Sequence, residues 1–102
     1  MRRLVYTDDA LDDLKALAGY ISNSAGSVGA AMRYVDRLRA ACRHLAELPS
    51  QLGRLRPELG EGIRSMPTGN YVLYFTYSDD AVTIVAVLHA RRDRRAFSRE
   101  GA

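Results

Sequence analysis

The chain has 102 residues, of which 47% are hydrophobic and 26% charged, and its net charge is +3. Such proportions exclude pervasive disorder and fit one domain, which at this size buries roughly two-thirds of the surface its unfolded chain exposes. The single cysteine, Cys42, excludes a disulfide scaffold and a cysteine-built metal site, and no run approaches the roughly 18 consecutive apolar residues of a membrane-spanning helix.

A lone thiol inside an apolar helical pattern reads as a core residue of a protein in a reducing cytoplasm. His44, two positions on, points to another helical face and is badly placed to activate it. No export signal or membrane anchor is visible, and no cofactor or metal is expected. Fourteen arginines stand against one lysine, Lys15. That bias suits forked contacts to carboxylate or phosphate, and it equally suits a GC-rich genome.

Leu4-Val5-Tyr6 is a short strand-like run, followed by Thr7 as a helix cap and by Asp8, Asp9, Asp12 and Asp13, whose carboxylates suit the positive end of a helix dipole. Apolar residues at Leu11, Leu14, Ala18 and Ile21 predict an amphipathic helix over about residues 8 to 22. The turn formers from Ser22 to Ser27 lead into a second helix, with Val28, Ala31, Val35, Leu38, Cys42, Leu45 and Leu48 stepping by threes and fours up to Pro49. Two such helices joined by a short loop form an antiparallel hairpin. Tyr20 and Tyr34 are expected to pack at its margin with their hydroxyls at the rim.

Residues 49 to 62 are rich in glycine and proline and read as a loop carrying Arg54 and Arg56. Strands are predicted at Ile63–Met66, Tyr71–Tyr77 and Val82–His89, joined by turn residues into an antiparallel meander. Strict alternation places Tyr71, Leu73, Phe75 and Tyr77 on one face of the central strand and Val72, Tyr74 and Thr76 on the other. The last strand sets Val82, Ile84, Ala86 and Leu88 against Thr83, Val85 and Val87. Both faces are largely apolar, yet a helical hairpin covers only one. The second face is therefore expected to be covered by the C-terminal segment, through Phe97, or by a partner chain. The expected fold is α+β: a mainly antiparallel sheet of about four strands, the helical hairpin on one face, and a basic tail from His89 to Ala102.

Four stretches, YTDDALDDLKALAGYI, GAAMRYVDRLRAACRHLAELP, LGRLRPELGEGIRSMPTGNYVLYF and IVAVLHARRD, resemble in order the RelE/ParE superfamily of bacterial toxins, and the ParE branch most. Gly53, Arg54, Arg56, Leu59, Gly62, Arg64, Ser65, Pro67 and Tyr71 carry the most specific part. The resemblance implies a single toxin domain over residues 1–102 that inhibits DNA gyrase without being an enzyme and is neutralised by a ParD-like antitoxin. On this reading Arg91, Arg92, Arg94, Arg95 and Phe97 contact the target. Arg54, Arg56 and Arg64 either contact it too or hold the loop against carboxylates such as Glu58. The antitoxin is expected against the hairpin's outer groove and the uncovered sheet face, at Val72, Tyr74, Val85, Val87, Tyr20 and Tyr34.

The ribonuclease branch of the superfamily offers an alternative, with His89, Arg64 and Arg92, helped by Arg91, brought together at one end of the sheet. A histidine with a pKa near 6.5 beside arginines is acid–base machinery in outline. Val72, however, stands where RelE-like ribonucleases carry an arginine, and Phe97-Ser98 stand near their C-terminal tyrosine. A third reading is an inactive toxin-like module that acts only within an autorepressing complex.

Overall fold

The structure, a computed structural model, describes residues 1–91. Strand β1 (Arg3–Tyr6) leads into helices α1 (Asp8–Ala25) and α2 (Val28–Glu47), followed by β2 (Arg54–Leu55), a 3-10 turn (Pro57–Leu59), and strands β3 (Arg64–Thr68), β4 (Tyr71–Tyr77) and β5 (Ala81–His89). The strands form one five-stranded sheet in the order β1-β5-β4-β3-β2. β1 runs parallel to β5, and all other neighbours are antiparallel.

Helix α1 starts where expected, with the Thr7 hydroxyl accepting the Ala10 N–H at 3.0 Å. It runs past residue 22 to Ala25, because serine and asparagine tolerate a helical turn and the chain reverses only at Gly26, whose φ of 66° caps the helix. Ser27 then caps α2, its Oγ accepting the Ala30 N–H at 3.1 Å. The buried stripe of α1 is Ala10, Leu14 and Leu17, whereas Leu11 is exposed. The small side chain of Ala10, fully buried, lets the helix approach the sheet closely. On α2 the buried residues are Ala31, Leu38, Cys42, Leu45 and Ala46, and the expected Val28 stays in solvent.

These helical residues meet Tyr71, Leu73, Phe75, Val82, Ile84 and Val87 in the main core. Val87 belongs there because β5 carries a bulge: Phe75 pairs with Ile84 and Tyr74 with Ala86, so Val85 has no opposite number. One extra residue reverses the alternation beyond it, which takes Ala86 and Leu88 to the outer face and turns Val87 inward. The strict alternation expected of β5 is corrected accordingly.

The expected sheet of about four strands has five, because Arg54 and Leu55 within the predicted loop pair with Ser65 and Arg64. β3 also extends through Pro67 to Thr68, which its position allows, since β2 ends before reaching Pro67 on that side. Nor is the outer face left to the tail or a partner alone. Leu59 and Ile63, from the segment between β2 and β3, pack against Tyr74, Ala86 and Leu88 in a second apolar cluster with Val72 and Val85.

Candidate functional site

On the helix-facing side, at the end of the sheet where β5 finishes, α1 and the strands enclose a cleft of about 480 Å³ lined by Asp13, Ala16, Leu17, Tyr20, Tyr71, Val87, His89 and Arg91. Its floor is aromatic. The His89 ring meets Tyr71 edge-on with centroids 5.3 Å apart, and Tyr71 meets Tyr34 in the same manner at 5.5 Å. Burial, with the neighbouring Tyr34 and Tyr20, pushes the Tyr71 hydroxyl above its ordinary pKa, so it remains a neutral donor. The Arg91 N–H donates to His89 Nδ1 at 3.1 Å, which turns the chain at the end of β5 and sets Arg91 at the mouth of the cleft.

The two tyrosines expected at the margin of the hairpin differ. Tyr34 is half-buried and its hydroxyl accepts the Asn70 N–H at 2.9 Å, bracing the β3–β4 turn. Tyr20 is 65% exposed and forms one wall of the cleft.

Of the loop arginines, Arg56 is buried, donating from Nε to Glu58 Oε2 at 2.9 Å and from Nη1 to Ser65 Oγ at 3.1 Å. It also lies beside the hydroxyl of Tyr74, whose pKa is raised by burial against the opposing pull of this cation. Tyr74 is itself buried beneath this loop. Arg64 donates from Nη1 to the carbonyls of Leu52 at 3.4 Å and Gly53 at 3.2 Å, and from Nη2 to Gln51 Oε1 at 3.2 Å. Both bond to groups of the loop and its neighbouring strand, while Arg54 is exposed on β2.

Arg64 and His89 do not come together. Arg64 pairs with Phe75 and His89 with Tyr71, so they stand four residues apart along β4 and on opposite sides of it, a distance of about 13 Å along the strand alone. Of the set His89, Arg64, Arg91 and Arg92 that the ribonuclease alternative brings together, His89 and Arg91 line one cleft while Arg64 stands apart from them. Arg92, Arg94, Arg95 and Phe97 lie outside the described residues. Of the residues expected on the uncovered face, Val72 and Val85 are half-buried there, and Val87 is in the core.

Sequence reasoning missed Asp13 as anything but a dipole partner of its helix. Its Oδ2 accepts the Val87 N–H at 2.9 Å across 74 positions of sequence, a pairing that no local pattern announces. It likewise missed Tyr77, whose hydroxyl donates to the Leu45 carbonyl at 3.3 Å and accepts the Leu52 N–H at 3.1 Å. The Arg2 guanidinium lies 4.7 Å from the Tyr77 ring centroid. Among the described residues, no group of histidine, cysteine and carboxylate side chains is arranged to hold a metal, and no helix is long and apolar enough to cross a membrane.

A helical hairpin on an antiparallel meander, closed by a parallel N-terminal strand, is the architecture of RelE- and ParE-like toxins. A chromosomal ParDE toxin–antitoxin system from P. aeruginosa superposes with a TM-score of 0.75 at 20% identity, covering 87% of this chain and 96% of that one. A YoeB–YefM complex from Staphylococcus aureus gives 0.57 at 15% identity over 87% and 97%. YafQ from E. coli gives 0.53 at 12% identity over 88% and 94%. No curated protein matches the chain. The family model for the ParE toxin of the type II toxin–antitoxin system parDE matches residues 4–94, and the chain belongs to this family.

Proposed function

We propose that this toxin acts on DNA gyrase without catalysing a reaction of its own, and that a ParD-like antitoxin holds it inactive in the cytoplasm. Membership of the ParE family supports the first part. The observation that carries it is the separation of Arg64 from His89, with the Arg64 guanidinium occupied by the carbonyls of Leu52 and Gly53. Metal-free RNA cleavage needs a proton acceptor, a proton donor and cations around one phosphate. Arg64, four residues from His89 along β4 and on its other side, does not share a phosphate with it, which leaves Arg91 as the one described cation beside His89. The arginines from Arg91 onward, five against Asp93 and Glu100, suit contact with an acidic protein surface or with DNA phosphate.

The test is to induce the chain without its antitoxin and to assay, in the same cells, plasmid DNA for gyrase-linked breaks and messenger RNA for new 5′ ends. Breaks with intact messages are expected, and they should persist in His89→Gln. New 5′ ends without breaks, lost in His89→Gln, would overturn the reading in favour of a ribonuclease. No effect on growth from a folded, expressed chain would identify an inert module.

A further inference from the structure

Helix α2 turns four arginines to solvent: Arg33, Arg37, Arg39 and Arg43 are all exposed. At about 3.6 residues per turn they fall on the half of the helix opposite the buried Leu38, Cys42 and Leu45. They form two rows, Arg33 with Arg37 and Arg39 with Arg43, on either side of a ridge made by Gly29, Asp36 and Ala40. Two of the guanidiniums rest on aromatic rings: that of Arg37 lies 5.3 Å from the Tyr34 centroid and that of Arg39 5.1 Å from the Tyr6 centroid. A guanidinium stacked in this way keeps its N–H edge for another partner and loses less freedom on meeting one. Among the described residues the salt bridges join Arg3 to Asp80 and Arg56 to Glu58, so none engages these four. Against them α2 has only Asp36 and Glu47, whereas α1 carries Asp8, Asp9, Asp12 and Asp13 against Lys15. The positive charge of the hairpin is thus gathered on one helix.

We propose that this face of α2 binds the phosphate backbone of duplex DNA directly, without reading its sequence. From Arg33 to Arg43 the helix advances about 15 Å, a stretch along which duplex DNA carries about nine backbone charges. The two rows flank the ridge, so a helix laid along a major groove reaches phosphates of both bordering strands. The major groove of B-form DNA admits an α-helix, whereas that of A-form RNA is too narrow, which makes DNA the fitting duplex. Gly29, Asp36 and Ala40 on the ridge have no side-chain donor, so contact is made through the backbone alone. A protein partner fits this face less well. Protein interfaces centre on apolar anchors with charge at the rim, and the exposed apolar side chains of α2, Val28 and Met32, stand together at its N-terminal end. The proposal goes beyond the gyrase reading and does not depend on it, since the chain and DNA alone suffice for binding.

Fluorescence anisotropy of the purified full chain with labelled duplexes of about 20 base pairs and unrelated sequences, titrated at salt from about 50 to 200 mM, tests this. The wild-type chain should bind the DNA sequences alike, with an affinity that falls steeply with salt. Arg33→Gln combined with Arg43→Gln touches no buried residue. With thermal unfolding unchanged, that variant should bind at least tenfold more weakly at low salt, and its log–log salt slope should be shallower by about two, one for each phosphate contact removed. Asp36→Asn, which takes the carboxylate off the ridge, should act in the opposite direction and tighten binding several-fold. The wild-type chain should bind duplex RNA more weakly than DNA. No wild-type binding at low salt, an unaltered affinity and slope in the double variant, no gain from Asp36→Asn, or equal affinity for duplex RNA would overturn the proposal. Neither gyrase nor cells enter the measurement, so binding through α2 by a chain that leaves gyrase untouched would keep this inference and sink the gyrase reading alone.

Discussion

The buried guanidinium of Arg56 donates to Ser65 Oγ at 3.1 Å, fastening the segment between β2 and β3 onto the outer face of the sheet. A cation in that position is tolerated only because Glu58, Ser65 and Tyr74 surround it. Removing it strips a charge-assisted hydrogen bond and releases Leu59 and Ile63 from the second apolar cluster. Arg56→Ala should cost about 2 to 3 kcal/mol in urea unfolding. Arg56→Lys should recover only part of this, because a point charge cannot reach Glu58 and Ser65 together.

Glu58 carries a pH dependence of known sign. Its own backbone N–H and then the Arg56 guanidinium hold its carboxyl below the ordinary range. A depressed folded pKa stabilises the fold above the carboxylate's ordinary value, and that contribution is lost as pH falls through the folded value. Unfolding midpoints measured through the acid range should therefore fall less steeply for Glu58→Gln than for the wild-type chain. Equal slopes would show that the pair contributes nothing in solution.

Gly53 has a φ of 80°, and a Cβ there would lie 2.7 Å from the Phe75 ring and 2.9 Å from the Ser65 carbonyl. Backbone strain and overlap with the core act together, so Gly53→Ala should destabilise by at least about 2 kcal/mol. In thermal unfolding this corresponds to a fall of roughly 8 °C or more in Tm.

Cys42 is 1% exposed, and burial pushes its thiol above the ordinary pKa. In the native chain it should resist thiol reagents and react only as fast as the protein opens. Beside it, the Tyr6 hydroxyl is buried with no ordinary hydrogen-bond partner, its pKa raised mainly by burial and then by that thiol. Tyr6→Phe should accordingly be neutral, or stabilising by up to about 1 kcal/mol, in chemical unfolding.

The arginines beyond β5 make a separate functional prediction. Arg94→Glu with Arg95→Glu should abolish growth inhibition at equal expression while the far-ultraviolet circular dichroism stays unchanged. Persistence of full toxicity would remove the tail from the target surface.

The periodic signals of the sequence determine much of this protein: the helical hairpin with its caps at Thr7 and Ser27, the three strands of the meander, and the buried thiol in α2. These depend on the chain's local geometry, on the 3.6- and 2-residue repeats and on short-range hydrogen bonds, so they can be read a few residues at a time. The pairing of Arg54 and Leu55 and the bulge at Val85 depend on which distant strand lies alongside. Only the tertiary structure decided those. The same holds for the sites. In sequence an arginine of this loop reads as a target contact or a loop clamp, and only the fold shows that Arg64 bonds to the carbonyls of Leu52 and Gly53 and Arg56 to the hydroxyl of Ser65. Asp13 was one carboxylate among four until folding placed the Val87 amide against it, because a hydrogen bond spanning 74 residues leaves no trace in local pattern.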